Sequence, residues 1–471
     1  MKISLDKRQN TELILSGNLL TAIMVLAIPT VLNSLIQTMY NLTDTFWLGR
    51  IGTDQMAAIT LVSPIQNIVV LFGQGLTTAG AILMAQYIGA KDEKNSQTMV
   101  NHIFISTIVF AIFSTIFCVL GTPFIVQWLG ATGAIYDYSK TYLQIVMLDM
   151  PFLFLINLYA SVNQAQGDAL RPMLLNLLGV IINMLLDPLF LVVLGWGTAG
   201  AALATLLAKV PCALIAVVSL FQPKHPVHIH LKDFQFEKEK LWTIIKIGLP
   251  TAIGKSTMQL GFLLMSKNVL EYGAIAVSAY GIGNKINSLI TMPIVGMGSA
   301  TGTIVSQNFG ANQKERAEKT YQITTRISVI FLLVTGILLS RPLLSKPLVR
   351  IFTTDAEVLR LGTEFLCILS LWSFTNGIYN NASGLFQGSG HTMITMLIDA
   401  SRLWIFRFVT LYICEDVLHM GVQSIWYSVV ISNALAALAF WILYKCQLWK
   451  KNVIKVTESL SNTSKASSLK V

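Results

Sequence analysis

From Thr98 to Thr122 the chain carries no Asp, Glu, Lys or Arg, and stretches of this kind recur along its whole length. About 20 consecutive apolar residues suffice to cross the hydrocarbon core of a bilayer as a helix. Twelve such runs are present, at about residues 19–48, 55–87, 98–122, 138–165, 170–194, 198–221, 241–270, 274–307, 318–340, 361–387, 391–414 and 422–448. Of 471 residues, 54% are hydrophobic and 12% charged, and the charges cluster between the runs. So few charges cannot cover a soluble surface, which excludes the three soluble domains that length alone suggests. Within lipid only helices and closed barrels satisfy the backbone, and the alternating ten-residue segments of a barrel are absent. The expected fold is an all-α integral membrane protein with twelve transmembrane helices.

The distribution of Lys and Arg orients these spans. Segments on the side of the N-terminus hold nineteen basic residues, and the opposite loops hold six: Arg50, Lys140, Arg341, Lys346, Arg350 and Arg360. The imbalance predicts a multi-pass protein of the cell membrane with both termini in the cytoplasm. It also explains the net charge of +10 as a topology signal with anionic membrane lipid as its neighbour. Nucleic acid is not an expected partner, because no basic patch is interleaved with exposed aromatics. The polar first eighteen residues do not read as a signal peptide, so the first span is expected to be retained. The five cysteines have neither disulfide nor zinc spacing.

A shift of 221 residues lays the second half of the chain on the first without a gap. LAIPT at 26–30 falls on IGLPT at 247–251, Gly52 on Gly273, QYIGA at 86–90 on QNFGA at 307–311, QG at 166–167 on QG at 387–388, and Gly200 on Gly421. Apolar helices resemble one another, but that does not align Pro, Gly and Gln-x-x-Gly-Ala loops at one offset. Six spans per half give both halves the same orientation, so two six-helix lobes are expected to be related by a pseudo-two-fold axis along the membrane normal. The expected division is a lobe over 1–221, a cytoplasmic linker over 222–240, a lobe over 241–449, and a disordered tail over 450–471 rich in Ser and Lys.

The duplication makes asymmetry readable. Under the shift Asp44 falls on Met265, Asn183 on Trp404 and Asp187 on Phe408, so polar groups of the first half have apolar or aromatic counterparts. A carboxylate at membrane depth costs about 2.5–3.5 kcal/mol even on the mildest scale. Asn183 and Asp187 are four apart and share a helix face. Pro188 lacks an amide hydrogen and frees a carbonyl one turn earlier. Asp44, Asn183, Asp187 and that carbonyl form a hard-oxygen set suited to a proton or Na+, and this is the only metal ion the sequence suggests. Two simpler readings stand beside it: Asp44 as an interfacial residue near the end of its helix, and Asp187-Pro188 as a kink. Pro29, Pro188 and Pro250 are the expected hinges.

The same residues carry a family resemblance. Pro29, Asp44-Thr45, Leu48-Gly49 and Gly52, the two Gln-x-x-Gly-Ala loops, and NMLLDPLF followed by GTAGAALAT resemble the multidrug and toxic compound extrusion (MATE) transporters over nearly the whole chain. The resemblance implies two six-helix lobes and exchange of Na+ or H+ for organic, often cationic, drugs. It places the coupling residues at Asp44, Asn183 and Asp187 and adds the hydroxyl of Thr205. Acids that some members carry on helices seven and ten are missing here, so coupling is expected to rest on the first lobe. The implied activity is secondary antiport that exports small organic compounds, by a monomer without a cofactor other than the coupling ion. Flipping of a lipid-linked oligosaccharide is the alternative. An intramembrane aspartyl enzyme is a third reading, against which the duplication argues.

Met39, Tyr40, Lys255, Met258 and Met265 are candidates for an adaptable substrate cavity, although each is also compatible with packing, and Lys255 with pairing or snorkelling. Asp399 and Arg402, three apart, are placed to pair locally, and Arg407 has no local partner. His225, His228 and His230 read as part of a solvated linker rather than a metal tract. There is no P-loop for ATP and no Ser/His/Asp arrangement for catalysis.

Overall fold

The computed structural model describes residues 7–49, 52–223, 227–232 and 234–453, and every regular element among them is helical. A short helix, α1 (Lys7–Leu15), precedes six long ones: α2 (Leu19–Leu48), α3 (Thr53–Gly89), α4 (Glu93–Trp128), α5 (Gly133–Ala165), α6 (Leu170–Pro188) and α7 (Gly197–Leu220). The second half comprises α8 (Lys238–Glu271), α9 (Ala274–Gly310), α10 (Lys314–Leu339), a short α11 (Pro342–Arg350), α12 (Ala356–Leu371), α13 (Phe374–Gly388), α14 (Thr392–Ala400), α15 (Phe408–Tyr412) and α16 (Gln423–Lys445). Wide π turns over Leu189–Val193, Ser401–Arg407 and Ile413–Val417 continue α6, α14 and α15.

Among the described residues nine helices are long and apolar enough to cross a membrane, and α12 with α13, bent by 55°, make a tenth. The other two spans differ for physical reasons. Helix α8 carries Lys246, Lys255 and Lys267, and the stretch from α14 to Val417 is broken by its π turns. The twelve spans lie where the apolar runs place them, but several helices continue past them. At 36 residues and 1.5 Å per residue, α4 exceeds the hydrocarbon thickness. Its start is fixed by Asp92, whose side chain accepts the amide of Asn95 at 3.0 Å. One face of α4 presents Phe113, Phe117, Leu120 and Phe124 exposed, a row that suits lipid and not water.

The 221-residue repeat is written into the backbone. Helices α3 and α9 both span 37 residues with ends offset by that number. Each follows a glycine at positive φ, Gly52 at 124° and Gly273 at 91°, where a side chain would be strained. Each ends in the same turn: Lys91 and Asn312 adopt left-handed φ values of 57° and 58°. The amide of Asp92 donates to Tyr87 O at 2.9 Å, and that of Gln313 donates to Asn308 O at 2.8 Å.

The chain divides into two compact units, 1–16 with 29–252 and 17–28 with 253–471. The boundaries therefore fall within α2 at Pro29 and within α8 just after Pro250. The cause in the first unit is a close backbone approach between α3 and α8. A Cβ added to Gly75 would lie 2.6 Å from Gly248 O, and one on Gly248 would lie 2.9 Å from Gly75 O. In the second unit Arg316 donates to the carbonyl of Gly17 at 2.6 Å. The first unit's core gathers Val62, Leu143, Met147, Met150 and Phe154. The second stacks Phe365 on Trp426 at 4.4 Å between ring centroids.

Two polar segments are more ordered than their composition suggests. Helix α1 docks on the first unit, with Asn10 donating to Gly167 O at 3.1 Å. It buries Lys7, whose ammonium is held down to about pKa 8 by burial and by the nearby charge of Arg171. The linker, expected to be solvated, lies along α4. Asn101 exchanges bonds with the backbone of His230, donating to its carbonyl at 2.7 Å and accepting its amide at 3.0 Å. Gln97 pairs in the same way with His228, and Val227 and Ile229 are buried. His225 and residues 454–471 of the tail lie outside the described residues.

Candidate functional site

Four helices of the first unit bring the candidate residues together. Helix α2 supplies Tyr40 and Asp44, α5 supplies Tyr142 and Asp149, α6 supplies Asn183 and Asp187, and α7 supplies Thr205 and Lys209. Asn183 and Asp187 stack one turn apart, and the Asn183 amide donates to Asp187 Oδ1 at 3.2 Å. That bond orients the side chain and leaves Asn183 Oδ1 as an acceptor. Among the described residues, Asn183 Oδ1 and Asp187 Oδ2 are both buried without a hydrogen-bond partner, and Asp187 is fully enclosed. Buried oxygens of this kind are normally satisfied, so the pair is prepared for a proton or a hard cation. Asp187 stands where α6 gives way to the π turn at Pro188, whose ring and missing amide break the regular ladder.

Asp44 is half-buried, and its charge acts on that of Asp187. Tyr40, one turn before it on α2, has its hydroxyl 3.5 Å from Thr205 Oγ1. Thr205 gives its own proton to Ala201 O at 3.2 Å, so it faces Tyr40 as an acceptor. Tyr142 lies within electrostatic range of Asp44, Asp149 and Asp187. The structure thus brings together all four residues assigned to coupling, and Tyr40 from the cavity set joins them.

Two members of the cluster were not expected from the sequence. Lys209 forms an ion pair with Asp149, which is fully buried and keeps its second oxygen without a partner. The charge of Lys209 also reaches Asp44. Both are charged residues in the middle of apolar runs, and each alone is expensive there. A lone acid and a lone base in one lobe are therefore a signal that they meet. Among the described residues, three carboxylates against one ammonium leave two carboxylates without a fixed counter-charge. Among the described residues no group of three His, Cys, Asp or Glu side chains is placed to hold a metal. The oxygens at hand are two carboxylates, an amide and hydroxyls, which suits a proton or an alkali cation better than a transition metal.

The second unit answers the same positions with packing. Met265, Phe408 and Trp426, which match Asp44, Asp187 and Thr205, meet in one apolar cluster with Val269, Tyr280 and Phe365. Met265 is completely buried in it. Met39 is exposed, and Lys255 and Met258 are half-buried. Asp399 and Arg402 do not close the expected local salt bridge. Tyr379 donates to Asp399 instead, and Arg402 stacks on the Tyr379 ring at 4.4 Å. Arg407 finds Ser432 at 3.0 Å and Asn433 at 3.2 Å.

A duplicated helical membrane protein with a polar cluster in one half and packed apolar residues in its place in the other has the architecture of a transporter. The MatE family profile matches residues 29–189 and 250–413, two stretches beginning 221 residues apart at Pro29 and Pro250. The chain belongs to the MATE family of membrane transporters. It is 26% identical over 442 residues to the probable multidrug resistance protein YoeA of Bacillus subtilis, covering 91% of this chain and 93% of that one. It is 24% identical over 432 residues to the multidrug export protein MepA of Staphylococcus haemolyticus, covering 91% and 94%. A solved outward-facing structure of a multidrug resistance MATE family transporter of the MOP superfamily superimposes with a TM-score of 0.88 at 25% identity, covering 93% of this chain and 98% of that one. The fold is therefore the twelve-helix MATE fold.

Proposed function

We propose that this transporter is a secondary antiporter that exports small organic compounds in exchange for inward H+ or Na+. The observation that carries the reading is the pair of buried, partnerless oxygens on Asn183 and Asp187 beside Asp44. A site that is incomplete without a cation changes charge with occupancy, which is what ion coupling requires. Asp44, Asn183, Asp187 and Thr205 hold the cation, and Tyr40 orients Thr205. Cation binding neutralises the acids and changes the preferred bend of α2 about Pro29, with Pro188 and Pro250 as further points of flexure. Coupling follows if the cation binds the two access states with different affinity. Relatives with multidrug export in their names support organic cargo. The protein works in the cell membrane with both termini in the cytoplasm, as a monomer that needs no cofactor beyond the coupling ion.

The test is dye efflux from vesicles containing the purified protein, with proton and sodium gradients imposed separately. One gradient drives efflux by the wild type, and Asp44→Asn abolishes the driven component while the protein remains folded. Full gradient-driven efflux in that variant overturns the assignment of Asp44.

A further inference from the structure

The second unit holds a cluster of opposite sign, formed by side chains of α8, α13 and the segment after α14. Arg402 is 7% exposed. Its guanidinium lies over the Tyr379 ring, its NH2 group is 3.9 Å from Met258 Sδ, and its Nε has no hydrogen-bond partner among the described residues. Arg407 is more deeply buried. It is held by the neutral side chains of Ser432 and Asn433 and lies 5.7 Å from the centre of the Phe262 ring, with its NH1 group unpartnered. Lys255 is half-buried and makes no hydrogen bond or ion pair among the described residues. Its charge acts on that of Asp399 alone.

Among the described residues Asp399 is the one acid whose charge acts on Arg402 and Lys255, and Tyr379 already occupies one of its oxygens. The other lies against Gly254, where an added Cβ would be 3.5 Å away. A guanidinium does not lose its proton in a protein. Arg402 and Lys255 together therefore exceed Asp399 by one positive charge. An uncompensated charge at this depth is unfavourable unless a partner arrives. The free Nε edge of Arg402 offers the planar donor geometry that receives a carboxylate, and half-buried Lys255 adds an ammonium that acts on the same Asp399. Met258 and Tyr379 supply an apolar and aromatic wall for the body of the same molecule.

We propose that Lys255 and Arg402 form a substrate subsite for the carboxylate of an organic anion or zwitterion with an aromatic or apolar body. This rests on the exporter reading and names the class of cargo. It sets the chain apart from a carrier selective for simple organic cations, because the cation-binding oxygens and the anion-binding donors then sit in different units.

The test uses equilibrium binding to purified protein with no gradient, followed by fluorescence anisotropy. Rhodamine 110 carries a free carboxylate, and rhodamine 123 is its methyl ester. The wild type is expected to bind the acid about tenfold more tightly than the ester, the scale of one charge-assisted hydrogen bond. Lys255→Met is expected to remove that preference and leave ester binding within about twofold, whereas Lys255→Arg retains it. Arg402→Gln lowers affinity for the acid in the same way. Arg402→Lys, which keeps the charge, confirms that the fold survives change at this position. Equal binding of acid and ester by the wild type, or a preference unaffected by Lys255→Met, overturns the proposal. Displacement of the acid by phosphatidylglycerol vesicles but not by soluble benzoate also overturns it, because the occupant is then lipid. Loss of the acid preference in the wild type alongside intact gradient-driven efflux refutes the subsite and not the antiport.

Discussion

Replacing Lys209 by methionine removes the ammonium paired with Asp149 and strands that acid, which is fully buried. Breaking a buried ion pair by deleting one partner costs about 3–5 kcal/mol. The stranded acid can escape by taking up a proton. From an ordinary aspartate value near 3.9, that costs about 4 kcal/mol at pH 7 and about 1.5 kcal/mol at pH 5, at 1.36 kcal/mol per unit. The destabilisation of Lys209→Met is therefore expected to be about 3–4 kcal/mol at pH 7 and to fall below about 2 kcal/mol at pH 5. Lys209 with Asp149→Asn is the milder single change, because the side chain of Lys209 is 22% exposed and its charge already acts on Asp44. The double variant Lys209→Met/Asp149→Asn leaves no stranded charge and should return to within about 1 kcal/mol of wild type. Thermal unfolding in detergent at a fixed scan rate gives the readout. A loss of about 3–4 kcal/mol corresponds to roughly 5–10 °C for a unit of this size. A pH-independent loss, or a double variant as unstable as Lys209→Met, refutes the reasoning.

Two further outcomes follow from burial. Met265→Ala should lower stability by about 2–5 kcal/mol without changing which dyes are exported, while Met39→Ala, at an exposed position, should stay within about 0.5 kcal/mol; a changed export profile with unchanged stability assigns Met265 to the cavity wall. The docking of α1 should depend on alkaline pH through Lys7, a base whose folded pKa is lowered to about 8. Its burial penalty is full below pH 8 and disappears as pH rises toward the unfolded value near 10.4. Amide-exchange protection of residues 7–15, corrected for the intrinsic rate, should accordingly rise between pH 8 and 10 in the wild type and be flat over that window in Lys7→Met. A wild-type profile as flat as the variant's contradicts the role given to Lys7.

The parts of this protein that were legible in sequence are those with local or repeated signatures. Apolar runs locate the spans because the bilayer imposes length and polarity directly. The 221-residue offset survives because Gly52 and Gly273 serve turns that few other residues accept. Asp44, Asn183 and Asp187 stand out because their counterparts are apolar. What remained hidden depends on side chains meeting across the chain. Lys209 and Asp149 are 60 residues apart, and neither sequence neighbourhood reveals the other. The local pairing of Asp399 with Arg402 gives way to Tyr379, 20 residues from Asp399. The linker reads as solvated because Gln97 and Asn101, which hold it, are 131 and 129 residues from their partners. Met265 shows no sign of burial in its own helix, and its environment is set by Phe365 and Trp426. The unit boundary at Ala252 depends on two glycines, Gly75 and Gly248, whose missing side chains matter only once α3 and α8 touch.

Cation binding by the purified protein, read as proton release on sodium addition and as sodium uptake at fixed pH, addresses the partnerless oxygens of the first unit most directly. Wild type should bind, and Asp187→Asn and Asp44→Asn should each lose the bound cation while keeping the wild-type melting profile. Undiminished binding in both variants would show that the coupling ion is held elsewhere.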